Sequence, residues 1–141
     1  MTTAVTLTAG RIAHAAPLAA TVYADDAADA FDLGAGVATI DLSDSPAAAV
    51  LSFSLPNPAW SAGTAANPSV ITLQGVPISA VASGDATALD LAIGYDRDGV
   101  EVGRCSVGAT GSGQGVEVDN VIVATGQTRR ITGGTWSFTL S

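Results

Sequence analysis

Residues 88–107, ALDLAIGYDRDGVEVGRCSV, decide the fold class. Leu89, Leu91, Ile93 and Tyr95 alternate with smaller or polar residues, and a period of two belongs to a β-strand. Asp96-Arg97-Asp98-Gly99 follows, and its Asp-Gly pair supplies the positive φ that a tight hairpin turn needs. Val100–Val107 then alternates again, so the stretch predicts an antiparallel hairpin of Ala88–Tyr95 and Val100–Val107. The C-terminus repeats the pattern, with Trp136, Phe138 and Leu140 on one face and Thr135, Ser137 and Thr139 between them. Each such strand buries one face and leaves the other to solvent or a partner.

Working outward, turn signals divide the rest into short strands. Val37–Leu42 ends at Ser-Asp-Ser-Pro, and Ala48–Leu55 places Leu51, Phe53 and Leu55 on one face before Pro56-Asn57-Pro58 stops it. Val70–Leu73 and Val76–Val81 flank Gly75 and Pro77. Gly108–Gly115 reads as a flexible loop, Val116–Val123 as a strand with a bulge at Asp119-Asn120, and Thr128–Thr132 as the penultimate strand. About seven to nine short strands at regular spacing predict an all-β domain, a single antiparallel β-sandwich or jelly-roll. Residues 1–16 form an N-terminal arm, and 17–141 form the domain, with one short helix at about 17–33. In that helix Leu18, Val22, Tyr23, Ala27, Ala30 and Phe31 share a face opposite Asp25, Asp26, Asp29 and Asp32.

Composition agrees. The chain has 141 residues and is 48% hydrophobic but only 5% aromatic, so its core is built from Val, Ile, Leu and a few rings. Sixteen glycines and six prolines suit many turns. All five basic residues are Arg (Arg11, Arg97, Arg104, Arg129, Arg130) against 13 acids, a net charge of −8. Such a surface repels phosphate backbones, which argues against nucleic-acid binding. No stretch approaches the length of a membrane span, and residues 1–9 lack the basic start of a signal peptide. Synthesis in a bacterial cytoplasm without export is the expectation.

The motifs that could carry chemistry have simpler readings. Asp96-x-Asp98-Gly99 opens like a calcium loop, but Val100 and Val107 stand where further ligands belong, so it reads as a hairpin turn. The glycine-rich 108–115 run lies between strands, whereas a phosphate loop leads into a helix N-terminus. Cys105 is alone in a strand, with His14 its single possible partner in the distant arm, so it reads as a half-buried structural residue. No carboxylate pair stands out for glycosidase chemistry, and one His with one Cys makes no metal site. The expectation is a non-enzyme with no cofactor and no metal. Trp60, in a loop after Pro-Asn-Pro, reads either as a core ring or as an interface anchor. Arg129-Arg130 reads either as a solvated strand edge or as a salt-bridging patch toward a neighbouring copy.

The order of the segments VATIDL (37–42), AVLSFSLPNPAW (49–60), LDLAIGYDRDG (89–99) and VEVDNVIVATGQT (116–128) resembles small virion-associated β proteins of tailed bacteriophages. The likeness covers roughly the last hundred residues. It implies a structural role: a capsid decoration (cement) or minor head protein, or a tail or fibre component. It also implies a homo-oligomer, with the major capsid protein or other virion proteins as partners and the virion as location. Candidate contact residues are Trp60, Arg129, Arg130 and, in the arm, Arg11. The alternative is a carbohydrate- or receptor-binding module using Trp60, Trp136, Tyr23 and Tyr95 as platforms.

Overall fold

A computed structural model describes residues 5–8 and 19–139. The elements are β1 (Thr6–Leu7), α1 (Ala20–Phe31), β2 (Thr39–Ser43), β3 (Leu51–Ser54), β4 (Ser69–Thr72), β5 (Ile78–Val81), β6 (Leu91–Tyr95), β7 (Glu101–Ala109), β8 (Val116–Val118), β9 (Thr128–Gly133) and β10 (Thr135–Phe138). Eight strands form one sheet in the order β3-β2-β6-β7-β8-β9-β5, with β1 added to β7, and β10 pairs β4 in a second sheet. The protein is therefore mostly β, with one helix. The sheet curls until its end strands meet: Ser83 N–H, just past β5, donates to Val50 O, just ahead of β3, at 2.8 Å. The result is nearly a barrel.

The expected hairpin forms, with β6 and β7 antiparallel and Tyr95 opposite Glu101. Its tip is fixed by Asp96, whose Oδ1 accepts the N–H groups of Asp98 and Val100 at 2.9 Å each, while Gly99 takes φ +80°. The tip also docks on the loop that follows α1, through Gly36 N–H to Arg97 O and Arg97 N–H to Leu33 O, both 2.9 Å.

The expectation of a purely antiparallel sheet is corrected at β7 and β8, which pair in parallel with Val107 opposite Val116. The 110–115 segment brings the chain back along β7. Gly111 and Gly113 take positive φ there, Glu117 Oε2 accepts the Gly113 N–H at 2.7 Å, and the Ser106 hydroxyl bonds Gln114. It is a knitted return rather than a free loop. The ladder irregularity falls between Glu117 and Val118, and β8 stops before the expected bulge at Asp119-Asn120.

The helix expected at 17–33 spans Ala20–Phe31; positions 17 and 18 lie outside the described residues. It buries Ala20, Ala24, Ala27, Ala28, Ala30 and Phe31, a small-residue face that lets it lie close to β4 and β10. Its acidic face is not merely solvated. Asp25 Oδ1 accepts Gly63 N–H at 2.6 Å and Asp32 Oδ1 accepts Ala59 N–H at 3.2 Å, which ties the 57–68 loop to the helix.

At the centre Phe31, Trp60 and Trp136 pack with ring centroids 5.0–5.6 Å apart. Losing one such ring costs about 3–5 kcal/mol in a typical core. This trio inverts the expected faces of β6. Ala92 and Gly94 point inward, and Leu91, Ile93 and Tyr95 are half-buried on the outside. A Cβ at Gly94 would lie 2.4 Å from Phe31 Cζ, so only a small residue fits on that face. On β10 the expectation holds, with Trp136 and Phe138 buried; Leu140 lies outside the described residues.

Candidate functional site

The outward face of β2 and β6 is a groove of about 340 Å³. Register places Asp41 opposite Ile93 and Thr39 opposite Tyr95, so alternate outward residues of both strands line its floor. Residues 45–49 fold over it as an exposed wall of Ser45, Pro46 and three alanines. Arg104 of β7 closes one side.

The electrostatics of the groove are lopsided. Arg104 is taken up by Glu101, with Nε–H to Oε2 at 3.1 Å and Nη2–H to Oε1 at 2.9 Å. That pairing holds the Glu101 carboxyl below its ordinary range, against the effect of burial and with help from the Thr8 hydroxyl at 2.7 Å. Burial, then the Asp41 and Glu101 charges, push the Tyr95 phenol above its ordinary value, so it stays a protonated donor. Asp41 Oδ1 is buried and accepts no hydrogen bond. Among the described residues it shares that state with Trp60 Nε1, Ser112 Oγ and Ser137 Oγ.

A second surface lies at the end of the barrel where β2 finishes and β6 begins. There surface carboxylates tie neighbouring loops together. Asp44 Oδ2 accepts Thr87 N–H (3.1 Å), Thr87 Oγ1–H (2.9 Å) and Ala88 N–H (3.2 Å). Asp85 Oδ1 accepts Thr125 N–H at 2.7 Å, and Asp90 Oδ1 accepts Ser45 N–H at 2.8 Å. Those bonds hold the Asp44 and Asp85 carboxyls below their ordinary values. Among these exposed polar groups two apolar side chains stand out: Val81 is 63% exposed and Ile122 59%. At the opposite, hairpin end Leu33, Val37 and Val100 are exposed in the same way.

The residues singled out from sequence scatter. Trp60 lies in the core, 2% exposed against Phe31 and Trp136, so its ring cannot serve as a surface anchor in this fold. Arg129 and Arg130 are not on a sheet edge, because β9 runs between β8 and β5. Arg129 braces the loop end: Nε–H and Nη2–H donate to Ile122 O at 3.0 and 2.6 Å, and Nη2–H also reaches Gln127 Oε1. Arg130 is exposed, and its backbone N–H donates to Asp119 Oδ1 at 3.1 Å. Arg11 and His14 lie outside the described residues. Among the platforms of the binding-module alternative, Trp136 is buried and Tyr95 alone lines the groove.

Cys105 is more buried than expected, at 5%, and accepts the Trp136 Nε1–H at 3.2 Å. Burial pushes its thiol up to about 12, so it is protonated at neutral pH. Among the described residues no three His, Cys, Asp or Glu side chains gather as metal ligands, and no helix is long and apolar enough to cross a membrane. Sequence reading missed Asp41 and the 45–49 wall. The available signal was an acid between Ile40 and Leu42 in an otherwise apolar strand. The chain matches no protein-family model, no curated protein and no solved structure.

Proposed function

We propose that the chain is a non-enzymatic structural protein of a tailed-phage virion, a capsid decoration or minor head protein that binds the capsid surface. The observation that carries this reading is the loop end, where Asp44, Asp85, Asp90 and Arg129 brace the backbone and Val81 and Ile122 are exposed beside them. Pre-shaped loops lose little entropy on docking, which suits a permanent contact. The segment order noted above supports the same reading. The apolar hairpin end of Leu33, Val37 and Val100 offers a second contact and supports a homo-oligomer. In architecture we read a distorted β-sandwich, in which Trp136 of the small sheet packs across the interior onto Cys105 and toward Gly94 of the large one.

The test is attachment to particles. Purified virions should carry the chain at a copy number comparable with the major capsid protein. Stripped capsids should rebind it, and Val81→Glu with Ile122→Glu should abolish rebinding while leaving the melting temperature unchanged. A handful of copies per particle would sink the decoration role in favour of a minor tail component.

A further inference from the structure

We infer that β1 is a strand exchanged between copies: the slot along β7 that it fills accepts the same segment of a second copy of this chain. The inference stands on the β1–β7 ladder and holds or fails independently of attachment to a capsid. One edge of β7 pairs with β6, and the other is divided between β1 at Gly103–Arg104 and β8 from Val107 onward. Without β1 the first half of that second edge would stand open, and an open edge recruits a strand. The slot is shaped for this segment. Gly103 makes the room, since a Cβ there would lie 2.8 Å from Thr6 O and 3.2 Å from Leu7 Cδ2. Thr8 latches the end, with its N–H on Val102 O at 2.9 Å and its hydroxyl on Glu101 Oε2 at 2.7 Å. Val5 and Leu7 pack against the core. None of these contacts needs β1 and β7 to belong to one chain.

The length of the tether leaves both arrangements open. Thr8 sits beside Val102 at the hairpin end, and the hairpin tip is where the C-terminal end of α1 docks, through Arg97 N–H to Leu33 O. The first turn of α1 is therefore a helix length away. Its 12 residues make that roughly 18 Å. Residues 9–18 separate Thr8 from Ala19, and ten residues reach at most about 33–36 Å. The tether is about twice as long as the gap, so β1 reaches its own slot without being forced into it. A segment held this way meets its own slot at an effective concentration on the order of a millimolar. Own and foreign β1 make identical contacts, so exchange competes once the chain itself reaches that concentration.

The experiment mixes equal parts of isotope-labelled and unlabelled full chain at about 1 mM, the effective concentration of the tether. Isotope-filtered NOE spectra should show Leu7 of one copy against Gly103 of another, and sedimentation should show association that grows with concentration. Deleting residues 9–18 joins Thr8 directly to Ala19, about 3.8 Å from Cα to Cα, so β1 no longer reaches its own slot. That chain should associate at concentrations at least tenfold lower. Leu7→Asp in the deleted chain should return it to monomer from the donor side, and Gly103→Val from the acceptor side. The first alters the donor strand alone, which covers the case that Gly103→Val disturbs β7. A deleted chain that stays monomeric, association without the Leu7–Gly103 contact between copies, or association that survives Leu7→Asp would overturn the exchange.

Discussion

Gly94→Ala adds one methyl group where β6 meets the ring trio. The new Cβ would stand 2.4 Å from Phe31 Cζ and 2.5 Å from Cε1. Ordinary carbon contacts begin near 3.5 Å, so the Phe31 ring must retreat by roughly an ångström. Behind it stand Trp60 and Trp136, 2% and 0% exposed, leaving it nowhere to go without moving α1. Gly94 does not use a positive φ, so alanine meets no backbone penalty. It even gains about 0.4–1 kcal/mol from a stiffer unfolded chain. Overpacking costs typically about 1–3 kcal/mol, and the absence of slack places this site at the upper end. The net expectation is a loss of about 2 kcal/mol, a fall in Tm of roughly 5–8 °C for a domain of this size. Urea unfolding followed by tryptophan fluorescence reads it, since both indoles belong to the cluster. Phe31→Leu in the same chain should recover about 1 kcal/mol or more relative to the sum of the single changes. A neutral Gly94→Ala, or strict additivity of the pair, would refute the claim that Phe31 dictates which face of β6 turns inward.

Other consequences are open to simple measurement. Native Cys105 should resist iodoacetamide at pH 8 and react fully in guanidinium, because its thiol is buried and pushed up to about 12; equal rates in both states would contradict that placement. Arg129→Ala should cost about 1–2 kcal/mol in urea unfolding through loss of its bonds to the 122–127 turn, and Arg130→Ala less than about 0.5. Hydrogen bonds hold the folded Asp44 and Asp85 carboxyls below their unfolded value, so the stability they add is present above that value and lost as pH falls through the folded one. Asp44→Asn and Asp85→Asn should therefore flatten the acid limb of a Tm-versus-pH curve below about pH 4, and an unchanged limb would count against it. Asp29 runs the other way, raised by burial and by Asp25, Asp26 and Asp32, so Asp29→Asn should raise Tm at pH 7 and leave it unchanged at pH 3.

How much of this was legible in the sequence follows from how local each determinant is. The β6–β7 hairpin could be read because Asp96 and Gly99 carry their turn chemistry within five residues. The helix could be read because its apolar spacing is local too. The inward face of β6 could not: large residues at 91, 93 and 95 look like the core side until Phe31, some sixty positions earlier, fills the interior beside Gly94. Parallel β8 hid for a related reason, since 110–115 is glycine-rich and its ties to Ser106 and Glu117 appear only when folded. Trp60 resembled a loop anchor because nothing near it in sequence reveals that Trp136 waits 5.0 Å away. The groove was least legible, because it exists only once residues 45–49 fold over the outward face of β2 and β6.

The same steric choice builds the groove. Small residues at 92 and 94 admit Phe31 and Trp136 inside, which sends Leu91, Ile93 and Tyr95 outward beside Asp41. Those half-buried apolar side chains then need a cover, and residues 45–49 supply one. That cover is held from below by Asp90, through Ser45, and beside it Asp44 is anchored to Thr87 and Ala88. Residues 45–47 also border the depression that contains Ile122 at the loop end. The wall of the groove and the rim of the proposed capsid-facing surface are therefore one strip of chain. Docking on Ile122 should therefore be felt in the groove, because it presses on the same three residues. Hydrogen exchange at Leu91 and Ile93 that is unchanged by capsid binding would separate the two surfaces and remove the link.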